Sequence, residues 1–416
     1  MTMKKYLFLS LALSLTLAGC KSEPDFGDAV FMTGTLTTSN VRFLVDGTSS
    51  IGLTVSSSAK AEENVNVEVA AAPGLLEAYN ASTGRSYQLP PEGSYSLIGQ
   101  NVTIETGKSV STPVEITAES SKLQDGVSYC LPVTISKVDG GGLGILQSSR
   151  TAYVTFNKVI TSKVAQLVGG SYFDIPTFKG EESPVWALGK MTLEIKVRPS
   201  ALISAISANY INPILGSHES LLLRFGDGSN IPSNKLNFAK VSIGTDYHPD
   251  NKPHYETTLE TVFENDKWYH IAVVYDGSKV RFYLNGELSV EKSTEGGWIN
   301  LAMSYGGHGW DDTFAIGRSY GTAWTYKGCL SECRVWNVAR SQSQLQDGMC
   351  YVNPTSEGLI ASWRFNGELQ DDGTVLDETG HGHNAKPHGT VYHQFAPEVQ
   401  TVNQHNSDNG YPQTND

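Results

Sequence analysis

Short segments in which apolar and polar residues alternate recur along the whole chain, punctuated by Gly, Asn, Ser and Pro. In the first part they are Asn64 to Val69, Asn101 to Thr106, Val114 to Thr117, Cys130 to Val138 and Thr151 to Phe156. The same texture returns in Thr192 to Val197, Leu221 to Phe225, Trp268 to Tyr275, Lys279 to Leu284 and Gly358 to Phe365. A period of two puts successive side chains on opposite faces, so each segment predicts a strand of a β-sandwich. Trp268 and His270, one strand period apart, are expected on the same buried face. Only two stretches read as helix: Gly74 to Tyr79, and Ser341 to Met349 with Ser341 as its N-cap.

Composition divides these strands into two groups. Residues 28–157 hold no Trp and no His, whereas all seven Trp and all ten His lie after residue 185. A chain of 416 residues is too long for one core. The reading is therefore two sandwiches, over residues 28–157 and 170–395, joined by a linker at 158–169. Residues 396–416 are polar and expected to be disordered. The formal net charge is −13, with no Lys/Arg cluster. That balance excludes nucleic acid as the expected partner, because phosphate contacts need concentrated basic residues.

The N-terminus has its own pattern. Lys4 and Lys5 precede an apolar run from Tyr6 to Leu17, and Leu17-Ala18-Gly19-Cys20 follows. Twelve apolar residues fall short of the ~20 that a membrane-spanning helix needs, which fits a secretory signal. The tetrapeptide resembles the lipobox of bacterial lipoproteins. That resemblance implies cleavage after residue 19, lipidation of Cys20 and a short linker over 20–27. The acidic Lys21-Ser22-Glu23-Pro24-Asp25 resembles signals that send lipoproteins to the outer cell surface. The expected location is thus the outer membrane, facing the exterior, with membrane contact through the lipid alone.

Four cysteines remain. Cys329 and Cys333 lie four apart in a predicted strand, ~13 Å between Cα atoms, beyond the ~7 Å limit for a disulfide. Two readings stay open: a Cys329–Cys350 disulfide, or buried free thiols.

Each half resembles a known family. "YNASTGRSYQLPPEGSYSLIGQNVTIETGKSVSTPVEITAESSKLQDGVSYCLPVTIS", residues 79–136, is similar to domain of unknown function 1735, an immunoglobulin-like β-sandwich without a catalytic role. In the second half, "KWYHIAVVYDGSKVRFYLNGE" (Lys267 to Glu287) joins "MTLEIKVRPS", "FAIGRS", "GCLSECRVWNVARS" and "GLIASWRFNG" followed by "DETGHGHNA". This set resembles the LamG-like jelly roll of the concanavalin A-like lectin/glucanase superfamily. Asp276-Gly277 and Asn285-Gly286 are independent hairpin signals. The resulting fold class is all-β: an immunoglobulin-like β-sandwich followed by a LamG-like (concanavalin A-like) jelly roll.

The sequence carries no familiar catalytic motif. Glycosidases need two carboxylates ~5–9 Å apart; no Glu-x-Asp-x-Glu strand is present, and Glu332 stands alone on its strand. No Gly-x-Ser-x-Gly or His-Glu-x-x-His motif occurs either. The expectation is a protein that is not an enzyme. His381, His383, His388 and His393 could ligate a metal, but their loop matches a structural turn of the family. Calcium is the cofactor the superfamily often uses, and Asp227, Asn230, Asp311 and Asp312 are its oxygen-bearing candidates; no cofactor is otherwise expected.

Aromatic residues point to binding. Between Gly296 and Gly328 lie Trp298, Tyr305, Trp310, Tyr320, Trp324 and Tyr326, interleaved with glycines. Sugars stack their C–H faces on flat rings while their hydroxyls take carboxylate or amide partners. Trp310, Trp324, Tyr320 and Tyr326, with Asp311 and Asp312, form the candidate glycan site, and Tyr247 and His248 add a second loop. The expected function is a lipid-anchored surface protein that captures glycan for a polysaccharide-utilisation system, beside an outer-membrane transporter and glycosidases. The alternatives are a protein-binding or adhesion module and a glycoside hydrolase with catalytic carboxylates that sequence does not reveal.

Overall fold

The computed structural model describes residues 28–394 except 126, 208–209, 218–219, 229, 247–250 and 304–312, together with strands Gln400–Asn403 and Gln413–Thr414. No helix among the described residues is long and apolar enough to cross a membrane.

Two β-sandwiches follow one another. In the first, one sheet runs in the order Asn101–Ile104, Val65–Ala71, Tyr129–Asp139, Thr151–Ser162, with Asn40–Val45 parallel to Thr151–Ser162. The facing layer holds Thr48–Leu53, Val114–Glu119 and Tyr95–Ile98, flanked by Ala29–Met32 between Val55–Ser57 and Gly144–Ile145. Val65, Val67 and Val69 alternate with exposed Asn66 and Glu68, as a half-buried strand requires. Their apolar faces meet Ile116, Leu131, Val133 and Phe156 in one core.

The second sandwich is larger. Its eight-stranded sheet runs Glu287–Ser293, Lys279–Leu284, Tyr269–Tyr275, Met191–Pro199, Lys327–Trp336, Val164–Val168, Val391–Gln394, with Leu359–Trp363 also paired to Lys327–Trp336. The seven-stranded sheet runs Thr257–Thr258, Ile231–Ala239, Leu221–Asp227, Asn212–Ser217, Ala315–Ile316, Tyr172–Asp174, Lys386–His388. Leu193, Ile195, Val273, Leu223, Phe238 and Trp363 fill the space between them.

Several expectations change here. The segment assigned as a linker is strand: Thr151–Ser162 and Val164–Val168 are separated by Lys163 alone. In the polar tail, Gln400–Asn403 pairs antiparallel to residues 159–162. The helices are Leu76–Thr83 and Gln342–Asp347; Ser341 caps the latter in a capping box with Gln344. The four described cysteines are free and buried, so Cys329 and Cys350 are not bonded to each other. Trp268 and His270 are both buried but face different layers. Trp268 joins the inter-sheet core, while His270 points to the outer face of the large sheet.

That outer face is covered by helix Gln342–Asp347 and the chain after it, which buries what alternation alone would assign to solvent. Glu194 sits among Trp336 Nε1 (2.7 Å), Arg340 Nη1 (2.7 Å), His270 Nε2 (3.0 Å) and Arg334 Nη1 (3.6 Å). Arg334 also donates to Glu332 (2.7 Å) and the Gly348 carbonyl (2.8 Å). Burial alone would raise the Glu194 pKa, but Arg340, the His270 hydrogen bond and Arg334 hold it well below the usual carboxylate range.

Glu378, at the edge of the same layer, shows the opposite balance. Burial pushes its pKa up to about 7, against the pull of the Arg364 guanidinium. The folded state therefore keeps a proton that the unfolded chain releases near pH ~4.3. Stability must fall as pH rises from there to about 7. Glu378→Gln is expected to leave stability unchanged at pH 4 and to raise it by on the order of 1 kcal/mol at pH 8, after discounting for partial exposure. Urea unfolding at the two pH values checks this; equal effects at both would contradict it.

Candidate functional site

The hairpin of Arg318–Ser319 and Trp324–Thr325 lies against strand Asn212–Ser217 of the seven-stranded sheet. Its base is fixed by charge and stacking. Arg318 is buried, lies over the Tyr172 ring at 5.1 Å, and donates to Asp174 Oδ1 at 3.1 Å and to the Gly321 carbonyl at 3.3 Å. His388 stacks on the same Tyr172 ring at 4.6 Å. Thr325 Oγ1 accepts from the Gly170 N–H at 2.7 Å, tying the hairpin to the chain entering the sandwich.

Tyr320 opens the turn with φ 53°, a left-handed conformation that costs an aromatic residue on the order of 1–3 kcal/mol. Its hydroxyl takes a hydrogen bond from Arg224 at 3.2 Å. Arg224 is itself buried and held by Asn237 (3.3 Å) and Asp227 (3.0 Å). The strained turn thus rests on a rigid arginine, a combination common where a surface must hold one shape.

Beside the hairpin lies a cleft of about 280 Å³ lined by Trp324, Tyr210, Asn212, Lys327, Gly169 and Gly170, among others. Trp324 and Tyr210 are both half-buried. The Asn212 amide is committed to the Lys327 backbone, accepting from its N–H at 2.8 Å. Gly328, at φ +144°, lets the strand turn away from Lys327; a Cβ there would sit 2.3 Å from the Arg198 carbonyl. Among the described residues that line this cleft there is no carboxylate, and Lys327 is the one charged residue. Rings, glycine backbone and a cation can hold a ligand by stacking and hydrogen bonding. Among the described lining residues there is no carboxylate pair of the kind glycoside cleavage needs.

Of the sequence candidates, the structure brings Tyr320 and Trp324 onto one hairpin. Tyr326 is a correction: it is fully buried in the inter-sheet core, so its ring offers no face to a ligand. Burial raises its hydroxyl pKa well above the usual value. Trp310, Asp311, Asp312, Tyr247 and His248 lie outside the described residues, as do Tyr305 and Cys20. Trp298 packs under Lys252, whose Nζ is 4.9 Å from its ring. Tyr210 and Lys327 were missed; Lys327 had a signal, as the polar residue opening a predicted strand beside the aromatic cluster.

Of the calcium candidates, Asp227 and Asn230 lie among the described residues. Asp227 is paired with Arg224, a cation that opposes a second one. Among the described residues no three His, Cys, Asp or Glu converge as metal ligands. His381 Nδ1 meets the Ile360 carbonyl at 2.9 Å and His383 Nδ1 meets Thr177 Oγ1 at 2.8 Å. Both flank Asp377, which accepts from the N–H groups of Ser362 (3.0 Å), Thr379 (3.2 Å) and His383 (3.1 Å) and so knots the closing turn.

Comparison with known proteins agrees with this architecture. Residues 169–346 match the family model of the concanavalin A-like lectin/glucanases superfamily, and residues 25–142 match a model described as an N-terminal domain. The second sandwich is thus similar to the concanavalin A-like lectin/glucanases superfamily over residues 169–346, and it follows an N-terminal β-sandwich. A crystal structure from Bacteroides ovatus, of a protein to which carbohydrate binding is assigned provisionally, is similar over 88% of this chain and 98% of its own. The identity is 24% and the TM-score 0.50, a likeness of fold. The carbohydrate-binding module of a Ruminococcus gnavus sialidase, solved with α2,3-sialyllactose, aligns over 45% of this chain and 96% of its own, at 14% identity and a TM-score of 0.32. A pentraxin from Limulus polyphemus covers 55% of this chain and 95% of its own, at 12% identity and 0.29. No curated protein matches the sequence.

Proposed function

We propose that this chain is a glycan-binding protein, held by a lipid on Cys20 at the outer surface of the outer membrane, and not a glycosidase. The observation that carries the reading is the cleft where Trp324 and Tyr210 flank a glycine rim, with no carboxylate among its described lining residues. Stacking platforms of this kind suit sugar rings, and the rigid Arg318 and Arg224 supports below keep the platform in place at low entropic cost. The concanavalin A-like fold and the carbohydrate-binding assignment of the Bacteroides ovatus protein support the same reading. In this picture the first sandwich is a spacer, and the second holds polymer for a transporter and glycosidases.

The test is a glycan array probed with the fragment from residue 21. Retention on at least one polysaccharide, without release of reducing sugar, is the expected result. Release of reducing sugar would turn the reading to hydrolysis, and no retention would end it. Location is checked separately by protease treatment of intact cells, which should remove the protein. Survival on intact cells with cleavage after lysis would place it on the inner side of the membrane.

A further inference from the structure

The two sandwiches meet at a clamp. Arg85, just past helix Leu76–Thr83, donates to Asp347 Oδ1 at 2.5 Å and Gln346 Oε1 at 2.6 Å, while Ser343 Oγ donates to the Gly84 carbonyl at 3.0 Å. Next to this clamp lies a pocket of about 480 Å³, and both sandwiches line it. That volume is within the range of small-molecule sites, ~300–1,000 Å³.

Its lining has a consistent chemistry. The charged residues are already neutralised: Asp347 by Arg85 (2.5 Å), Asp125 by Lys158 (2.7 Å) and Arg340 by Glu194 (2.7 Å). What remains available is neutral. The side chains of Gln88, Gln124 and Ser128 from the first sandwich, and the Tyr351 hydroxyl from the second, make no hydrogen bond to another described residue. Gln344 and Asn353 use their amide oxygens locally, towards Ser341 and Thr355, which leaves their NH₂ groups as donors. Tyr351 adds a ring, with Arg364 5.5 Å from its centroid.

Amide and hydroxyl groups that donate and accept, a ring for stacking and no unpaired charge select a neutral polyol over an anion or a cation. We infer that the cleft between the sandwiches is a second binding site, for a neutral oligosaccharide. It is separate from the Trp324 cleft and shares no lining residue with it. Because both sandwiches contribute, neither half alone contains the site.

Calorimetry on the full mature chain tests this, with neutral gluco-, manno-, xylo-, arabino- and galacto-configured tetrasaccharides as probes. The background is Trp324→Ala, so that the hairpin cleft is silenced. At least one tetrasaccharide should still bind. Adding Gln124→Ala and Tyr351→Ala should weaken that binding at least tenfold, and Gln88→Ala alone should weaken it less. Gln88 and Gln124 are exposed, so their removal leaves the fold intact; the thermal midpoint of each variant verifies it. Absence of binding in the Trp324→Ala background, or binding that the pocket substitutions leave unchanged, overturns the inference. Either result leaves the reading of the hairpin cleft standing, because that cleft is judged by the protein with Trp324 intact.

Discussion

Glu194→Ala should lower the unfolding free energy by about 3–5 kcal/mol, the range for removing one partner of a buried ion pair. The carboxylate is 1% exposed and is the shared acceptor for Trp336, Arg340 and His270, with Arg334 close by. Without it, Arg334 keeps Glu332 as its counter-ion, but the Trp336 N–H and the Arg340 guanidinium lose theirs inside the protein. Glu194→Gln preserves an acceptor and the volume, so it should cost less than the alanine. Acid should act on the same layer. A carboxylate with a depressed pKa stabilises the fold above its unfolded pKa of ~4.3 and loses that contribution as pH falls through the folded value. His270 adds to this from higher pH. Burial lowers its pKa despite the Glu194 hydrogen bond, so the folded state favours neutral imidazole and stability declines below ~6.5. Its Nδ1 has no hydrogen-bond partner among the described residues, and none of them offers an acceptor for a second proton there. Guanidinium unfolding of the two variants at neutral pH, and of the native chain from pH 7 to 3, gives the measurement. An alanine variant within 1 kcal/mol of native would refute this account.

Trp324→Ala should reduce glycan affinity at least tenfold with little change in stability. A central aromatic anchor contributes on the order of 2 kcal/mol or more to binding, and this indole is half-buried on a two-residue strand rather than in the core. Tyr326→Phe is the contrasting substitution. Its hydroxyl has no hydrogen-bond partner among the described residues and its ring is sealed between the sheets, so binding should be unaffected. The ratio of the two dissociation constants on an array-selected glycan decides it. Equal loss from both, or from neither, would show that the hairpin does not carry the ligand.

The strands were legible because alternation, hairpin dipeptides and punctuation agree locally. Lys279–Leu284 was located to the residue, with Asp276-Gly277 before it and Asn285-Gly286 after. The layer around Glu194 was not legible for the same reason. Thr192, Glu194 and Lys196 alternate with Leu193 and Ile195 like a solvent-facing edge, and it is helix Gln342–Asp347 with the chain on either side of it that buries them. Tyr326 misled through proximity. It lies two residues from Trp324, yet the hairpin strand ends at Thr325, and the chain turns Tyr326 inward before Lys327–Trp336 begins. Tyr210 belongs to an irregular stretch between strands, where periodicity has nothing to say; only the fold carries it to Trp324.

The parallel pairing of Asn40–Val45 with Thr151–Ser162 spans six residue pairs, from Tyr153 with Asn40 to Lys158 with Val45. The first of these strands leads back to the N-terminal end of the chain, and the second runs on through Lys163 into the other sandwich. A pull between the N-terminus and the second sandwich therefore draws the two strands in opposite directions along their length. The hydrogen bonds between them are loaded in shear and must fail together, whereas a hairpin peeled from one end yields one bond at a time. With polymer held in the second sandwich and the N-terminus fixed, drag on that polymer would meet the first sandwich in its mechanically strongest direction.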